Sequence, residues 1–349
     1  MILLSQKPGI LFFIIIILFI PILVFGNDQA DLFANRTKIH EKTAIFQSHQ
    51  SGKDWQPTHL FNFMDEQQDE NNSPNINRRK LSLVSAAHVI GYGTSLLVLN
   101  EAWYKDYPRS SFHFHNDWPQ WMQMDKAGHV FSAYQLSRLG YYSFRWAGVD
   151  QKRSALWSSI SGSLFLSTIE ILDGFSKEWG ASVPDFTANT LGSLLFAGQQ
   201  IFWQEQKIIL KYSYGNSAEA KYRPDLLGGN LPERILKDYN GMRIWVSANP
   251  ASFLPSRDFL PPWFNVSFGY GAAGILGGIS NPDVFDNILL PDLIRHRRFF
   301  LSPDIDLSRI NTPYPFLNKL LTTINIIKVP APALEYNTEQ GFVFHWILF

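Results

Sequence analysis

The chain predicts an α+β fold: a four-helix antiparallel bundle, with or without insertion in a bilayer, followed by a small antiparallel β-sheet or partial barrel. Three observations predict it. From Leu81 to about Trp203 apolar residues recur with a helical period. After Trp203 the period changes to two, between Pro, Gly and Asn punctuation. The loops joining the later helical segments are short, which makes successive helices antiparallel.

The first element is "GILFFIIIILFIPILVFG", an apolar run after Lys7. It reads as an export signal in residues 1–26, cleaved after Gly26, or as a retained anchor, since the run is almost long enough to span a bilayer. Residues 27–80 end in "DEQQDENNSPNINRRK", too polar to bury a core, and read as a linker. The bundle follows in residues 81–206. Helix A is "LSLVSAAHVIGYGTSLLVLNEAWY", helix B runs from near Lys126 to Trp146, helix C is "SALWSSISGSLFLSTIEILDG" and helix D is "PDFTANTLGSLLFAGQQIFW". Each is about 20 residues, roughly 30 Å, enough to cross a bilayer. All are rich in Gly, Ala, Ser and Thr, which let helices approach closely in lipid, or at the contacts of a soluble bundle. Residues 207–349 are β-rich. "GMRIWVSANP", "WFNVSFGYGAAGIL", "RFFLSPDIDLSRI", "TINIIKVPAPALEYN" and "GFVFHWILF" read as strands, with "KIILKYSY" as a sixth. Six strands fall short of the smallest outer-membrane barrels, so a small sheet or partial barrel is expected.

Composition narrows the class. Thirty basic residues balance thirty acidic ones, which argues against a nucleic-acid partner. Aromatics reach 15% and charged residues only 17%, a shift that favours a membrane or its interface. There is no cysteine, so disulfides, thiol catalysis and Cys-ligated zinc are excluded in this sequence. No cofactor fingerprint and no metal motif is present, and the partners expected are membrane lipid or another envelope protein.

Three polar patches interrupt the apolar helices: Asp125, Lys126 and His129; Glu170 and Asp173; Asp185 and Asn189. Their i,i+3 and i,i+4 spacings place each patch on one helical face. Antiparallel order then puts the start of B, the end of C and the start of D at one pole, where the three patches meet. Local explanations compete. Asp125 fits an N-cap of helix B, "SVPD" at 182–185 is an S-x-x-D capping box, and a histidine on an apolar face is commonly a satisfied core residue. Glu170 and Asp173 have no local explanation. They lie in the last turn of C before Gly174, the expected left-handed C′ residue, where a carboxylate opposes the helix dipole. Lys126 is expected to pair with one of them, with His129 and Asn189 completing the network.

These patches carry a resemblance. "DKAGH" at 125–129, "EILD" at 170–173 and "SVPDFTANTLG" at 182–192 resemble the YfiM-like family of predicted periplasmic lipoproteins, a domain of unknown function; more distantly they are similar to VanZ-like membrane proteins. The likeness covers roughly residues 82 to 204. It implies an exported envelope protein, periplasmic or membrane-associated, whose characteristic set is Asp125, Lys126, His129, Glu170, Asp173, Asp185 and Asn189. It implies no reaction. The absence of cysteine departs from the lipoprotein pattern.

Loop charges place Arg78, Arg79, Lys80, Lys152, Arg153 and Lys207 opposite the cluster. Positive-inside logic would put that pole in the cytoplasm, in conflict with a cleaved export signal and four spans. The basic tract at 295–298 reads as a solvated edge or a lipid-headgroup contact. Three functions stay open: a non-catalytic envelope protein with a buried polar network, a hydrolase or transferase acting on an envelope lipid or cell-wall precursor, and a transport or channel component.

Overall fold

The structure is a computed structural model that describes residues 76–100, 108–254 and 260–349. The signal-like run and residues 27–75 of the expected linker lie outside these. Four long helices come first: α1 Arg78–Leu99, α2 Met124–Trp146, α3 Gln151–Asp173 and α4 Val183–Gly198, the last prolonged by a π-turn over Gln199–Trp203. Their starts follow local chemistry. The side chains of Asn77, Asp150 and Ser182 accept the amides of Lys80, Arg153 and Asp185, supplying partners for first-turn N–H groups.

Two expectations about helix ends are corrected. Asp125 is not a cap: the cap position of α2 is Gln123, in left-handed geometry, and Asp125 lies in the first turn. Gly174 ends α3 in right-handed geometry, φ −57°, so it is not a left-handed terminator. A Cβ there would fall 2.3 Å from the Phe112 ring, so close approach of the preceding loop excludes a side chain. The helices differ in their suitability for membrane crossing. Among the described residues only α3 is long and apolar enough to cross, by length and composition. α2 carries Asp125, Lys126, Arg138 and Arg145.

α2 lies between α3 and α4, with small residues at the contacts. A Cβ on Gly192 would fall 2.1 Å from the Val130 carbonyl oxygen, and one on Gly140 would fall 2.9 Å from Ser158 Cβ. Ser137, Ser154, Ser158 and Ser193 are buried, while Leu156, Trp157, Leu164, Leu191 and Leu194 are exposed.

Six strands form one open antiparallel sheet. They are β1 Ile208–Tyr214, β2 Met242–Ala248, β3 Phe264–Ala273, β6 His296–Ile305, β7 Ala331–Asn337 and β8 Gly341–Leu348, in the spatial order β1-β2-β3-β6-β7-β8. Short helices α5 Pro224–Leu227 and α6 Leu231–Lys237 separate β1 from β2, and a two-stranded ribbon, β4 Val284–Phe285 with β5 Ile288–Leu289, separates β3 from β6. Helix α7, Pro315–Ile324, takes the first residues of the segment expected to be wholly strand. After it, Tyr212 N–H donates to the Ile326 carbonyl and Lys328 N–H to the Tyr212 carbonyl, which brings this segment against the free edge of β1.

The main core lies between α2, α4 and one face of β1–β2. Phe131 meets Tyr212, ring centroids 6.0 Å apart, and Tyr134 meets Phe196 at 5.7 Å. The opposite face of the sheet is also buried, yet it is polar. Lys211 Nζ lies 2.9 Å from Asp304 Oδ2, Ser247 donates to the same oxygen at 2.6 Å, and Asn265 donates to Ser247 at 2.9 Å. Arg298 binds Glu335 through two parallel bonds of 2.7 and 2.6 Å, and His345 Nε2 lies 2.7 Å from the same carboxylate.

Candidate functional site

The cluster is assembled at one pole of the bundle by four segments. The loop before α2 is tied to the α3–α4 connection: His113 N–H donates to the Gly174 carbonyl, His115 N–H to Ala181 and Ala181 N–H to His113, each at 2.9–3.0 Å. This loop delivers Asp117. The chain then reverses through Trp121, Met122 and Gln123, three consecutive non-glycine residues at φ 53°, 52° and 61°. Left-handed geometry costs such residues about 1–2 kcal/mol each, so surrounding contacts must hold it. They are on hand: Trp121 N–H donates to the Gly278 carbonyl at 2.7 Å, Gln123 Nε2 to the Trp118 carbonyl at 2.7 Å, and the Tyr270 hydroxyl to the Met122 carbonyl.

Lys126 stands at the centre. Its ammonium lies 2.6 Å from Asp185 Oδ1, 2.8 Å from Asp125 Oδ2 and 2.8 Å from Asp117 Oδ2. Burial works against the charge, but the three carboxylates outweigh it and hold Lys126 protonated well above the usual lysine range. Burial likewise opposes ionisation of Asp117. The Lys126 charge and hydrogen bonds from Lys126 and Ser182 nevertheless keep its carboxyl below the usual range. Ser182 has two tasks: its hydroxyl donates to Asp117 Oδ1 at 2.5 Å and accepts the Asp185 amide at 3.1 Å.

One turn along α2, His129 turns from this triad toward α3. Its Nε2 lies 3.7 Å from Asp125 Oδ1, 3.8 Å from Glu170 Oε1 and 3.7 Å from Asp185 Oδ1, and its Nδ1 lies 3.0 Å from Asn189 Oδ1. Glu170 accepts the Ser182 amide at 3.4 Å. Asp173 is buried one turn further on. From the sheet side, the Tyr239 hydroxyl donates to Asp125 Oδ1 at 3.1 Å.

The structure therefore brings Asp125, Lys126, His129, Glu170, Asp185 and Asn189 into one network and buries Asp173 beside it. The expected pairing of Lys126 with Glu170 or Asp173 is not formed. Lys126 follows Asp125 directly and reaches toward the start of α4 and the Asp117 loop, whereas Glu170 of α3 lies near His129, one turn further along α2. Two partners were not anticipated as such. Asp117 reaches the cluster only through the left-handed turn, which no helical spacing encodes, and Tyr239 is 114 residues from its partner.

The network is buried except at Asp125, whose side chain keeps 12% exposure. Glu170, Asp185 and Asn189 are 0% exposed and Lys126 is 6% exposed. Asp125, His129 and Asp185 each offer a ligand atom within 4.8 Å of the others, a set that can hold a divalent ion by its chemistry. The Lys126 ammonium already bridges two of those carboxylates.

Residues 114–197 match the model of a family described as predicted periplasmic lipoprotein (DUF2279). The matched span contains every member of the network except Tyr239 and stops before the sheet. That description is consistent with an exported, periplasmic or membrane-associated location and names no activity. No curated protein and no solved structure matches the chain.

Proposed function

We propose that this is a non-catalytic envelope protein in which a largely buried ion network clasps the helical unit to the β-rich unit. The observation that carries the reading is the enclosure of the Lys126 ammonium by carboxylates from the preceding loop, α2 and α4, one of which is bound in turn by Tyr239 from the sheet side. An acid or base must reach the proton it moves. A buried ammonium held by three carboxylates serves cohesion first.

The competing reading is a hydrolase or transferase of envelope lipids, and it draws on the Asp125–His129–Asp185 set as a metal holder. Variants separate the two. His129→Gln and Asp185→Asn should lower melting temperature and cellular abundance together under the clasp reading. Variants that fold and accumulate normally yet abolish a cellular phenotype would overturn it in favour of catalysis.

A further inference from the structure

We propose that the outward face of β3, β6, β7 and β8 is a lipid-contact surface that enters one leaflet of an anionic bilayer. The inference goes beyond the clasp reading and does not require it.

The sheet is inside-out by the standard of soluble proteins. Its enclosed face carries Ser267, Ser302, Asp304, Glu335 and Asn337, all buried, whereas Val266, Phe268, Leu301, Leu334, Tyr336, Phe342 and Phe344 on the other face are exposed and Tyr270 and Phe299 half-buried, Tyr270 against the turn before α2. Polar-in, apolar-out alternation is the pattern of strands whose outer solvent is hydrocarbon. The register assembles these side chains into rows running across four strands. Phe268 pairs with Leu301, Leu301 with Leu334 and Leu334 with Phe344. The next row is Tyr270, Phe299, Tyr336 and Phe342. Phe344 is 54% exposed and Trp346, which extends the band, 80%. Isolated apolar residues on a surface need no explanation, but a contiguous aromatic band does.

The order of rows along the strands selects the occupant. Beyond the tyrosine-bearing row stands Arg297, exposed and opposite Ala272. Basic groups, then tyrosines, then purely apolar side chains is the order of increasing depth from anionic headgroups into acyl chains. From the Tyr270 row to the Phe264–Ile305 row is three intervals of two residues, about 20 Å along a strand. At a tilt of about 45° that is ~14 Å, half of the ~30 Å hydrocarbon core. The band is thus deep enough for one leaflet and too short to cross both. Helix α7 adds a second apolar contact, with Phe316 and Leu320 exposed and none of its residues buried.

The test is flotation of the full chain with vesicles of phosphatidylglycerol and phosphatidylethanolamine, and with neutral phosphatidylcholine vesicles. Wild type should float with the anionic vesicles. Leu301→Glu with Phe344→Glu should lower the bound fraction by at least about tenfold with the melting temperature unchanged. Arg297→Glu should weaken binding to the anionic vesicles while leaving the salt-independent part intact. Brominated acyl chains should quench wild-type tryptophan emission more than that of Trp346→Phe, a readout that needs no charged variant to fold. Tyr239→Phe, which lies outside the band and alters the bond to Asp125, should float as wild type does. Flotation insensitive to the double substitution, or quenching that does not depend on Trp346, would overturn the proposal. A concentration-dependent dimer abolished by the same double substitution, without vesicle binding, would assign the face to a second copy of the chain instead.

Discussion

The ammonium of Lys126 lies 2.6 Å from Asp185 Oδ1, and neither side chain exposes more than 7% of its surface. Lys126 belongs to α2 and Asp185 to the first turn of α4, so this contact joins the two helices at the pole where the polar patches converge. Lys126→Met removes the one ammonium from among three buried carboxylates. Leaving such charges uncompensated costs about 3–5 kcal/mol. Urea unfolding should show that loss, Asp185→Asn should show a smaller one, and the double variant should be less destabilised than the sum. Strict additivity would mean that the pair is not coupled.

Tyr239→Phe deletes the hydroxyl bond that joins the sheet side to Asp125 and keeps the ring against Trp121. A hydrogen bond to a charged group is worth about 1.5–3 kcal/mol, with the lower end expected for a partly wet carboxylate. Thermal melting should fall by several degrees. A melting temperature identical to wild type would dissociate the network from the β-rich unit.

Acid sensitivity should arise in the sheet. Burial would raise the Glu335 carboxyl, but Arg298, Asn337 and His345 outweigh it and hold the group at about 2, against an ordinary 4.5. A depressed carboxyl stabilises the fold above the unfolded-state value and ceases to do so as pH falls through the folded-state value. Stability should therefore decline between pH 4.5 and 2, by ~3 kcal/mol from this group. Glu335→Gln should flatten the slope of unfolding free energy in that window. An unchanged slope would move the acid sensitivity elsewhere.

Gly192→Ala tests the close contact of α2 and α4. The added methyl would meet a backbone oxygen that cannot turn aside, at 2.1 Å, so the helices must separate. Overpacking of this kind costs about 1–3 kcal/mol, and the cluster at the same pole should loosen with it. Amide exchange in the first turn of α4 should accelerate; exchange as slow as in wild type would show that the contact is not tight.

Chelation tests the balance of charge. With the Lys126 ammonium already among the carboxylates, removal of divalent ions should leave the melting temperature unchanged, and purified protein should hold no stoichiometric metal. A chelator-induced drop would transfer Asp125, His129 and Asp185 to a metal-holding role.

Much of the helical unit was legible because its signals are local. Ser182 and the amide of Asp185 are three residues apart, and the short loops dictated which ends of α2, α3 and α4 share a pole. The capping role given to Asp125 failed for a reason of the same scale: tertiary contacts to Gly278 and Tyr270 sustain a left-handed turn that no local preference favours, and this turn moves the cap to Gln123 and carries Asp117 into the network. The Lys126 pairing failed because helical spacing names a face and not the neighbour that a long side chain selects.

What the sequence by itself determined was periodicity: which residues of a helix share a face, and that Leu301 and Ser302 lie on opposite sides of a strand. Only the tertiary structure decided which side is enclosed. Alternation is symmetric between the two faces, and an apolar row is equally at home against a protein core or against lipid. The choice came from where α2 and α4 cover β1 and β2 and from how the remaining strands turn their polar side chains toward one another.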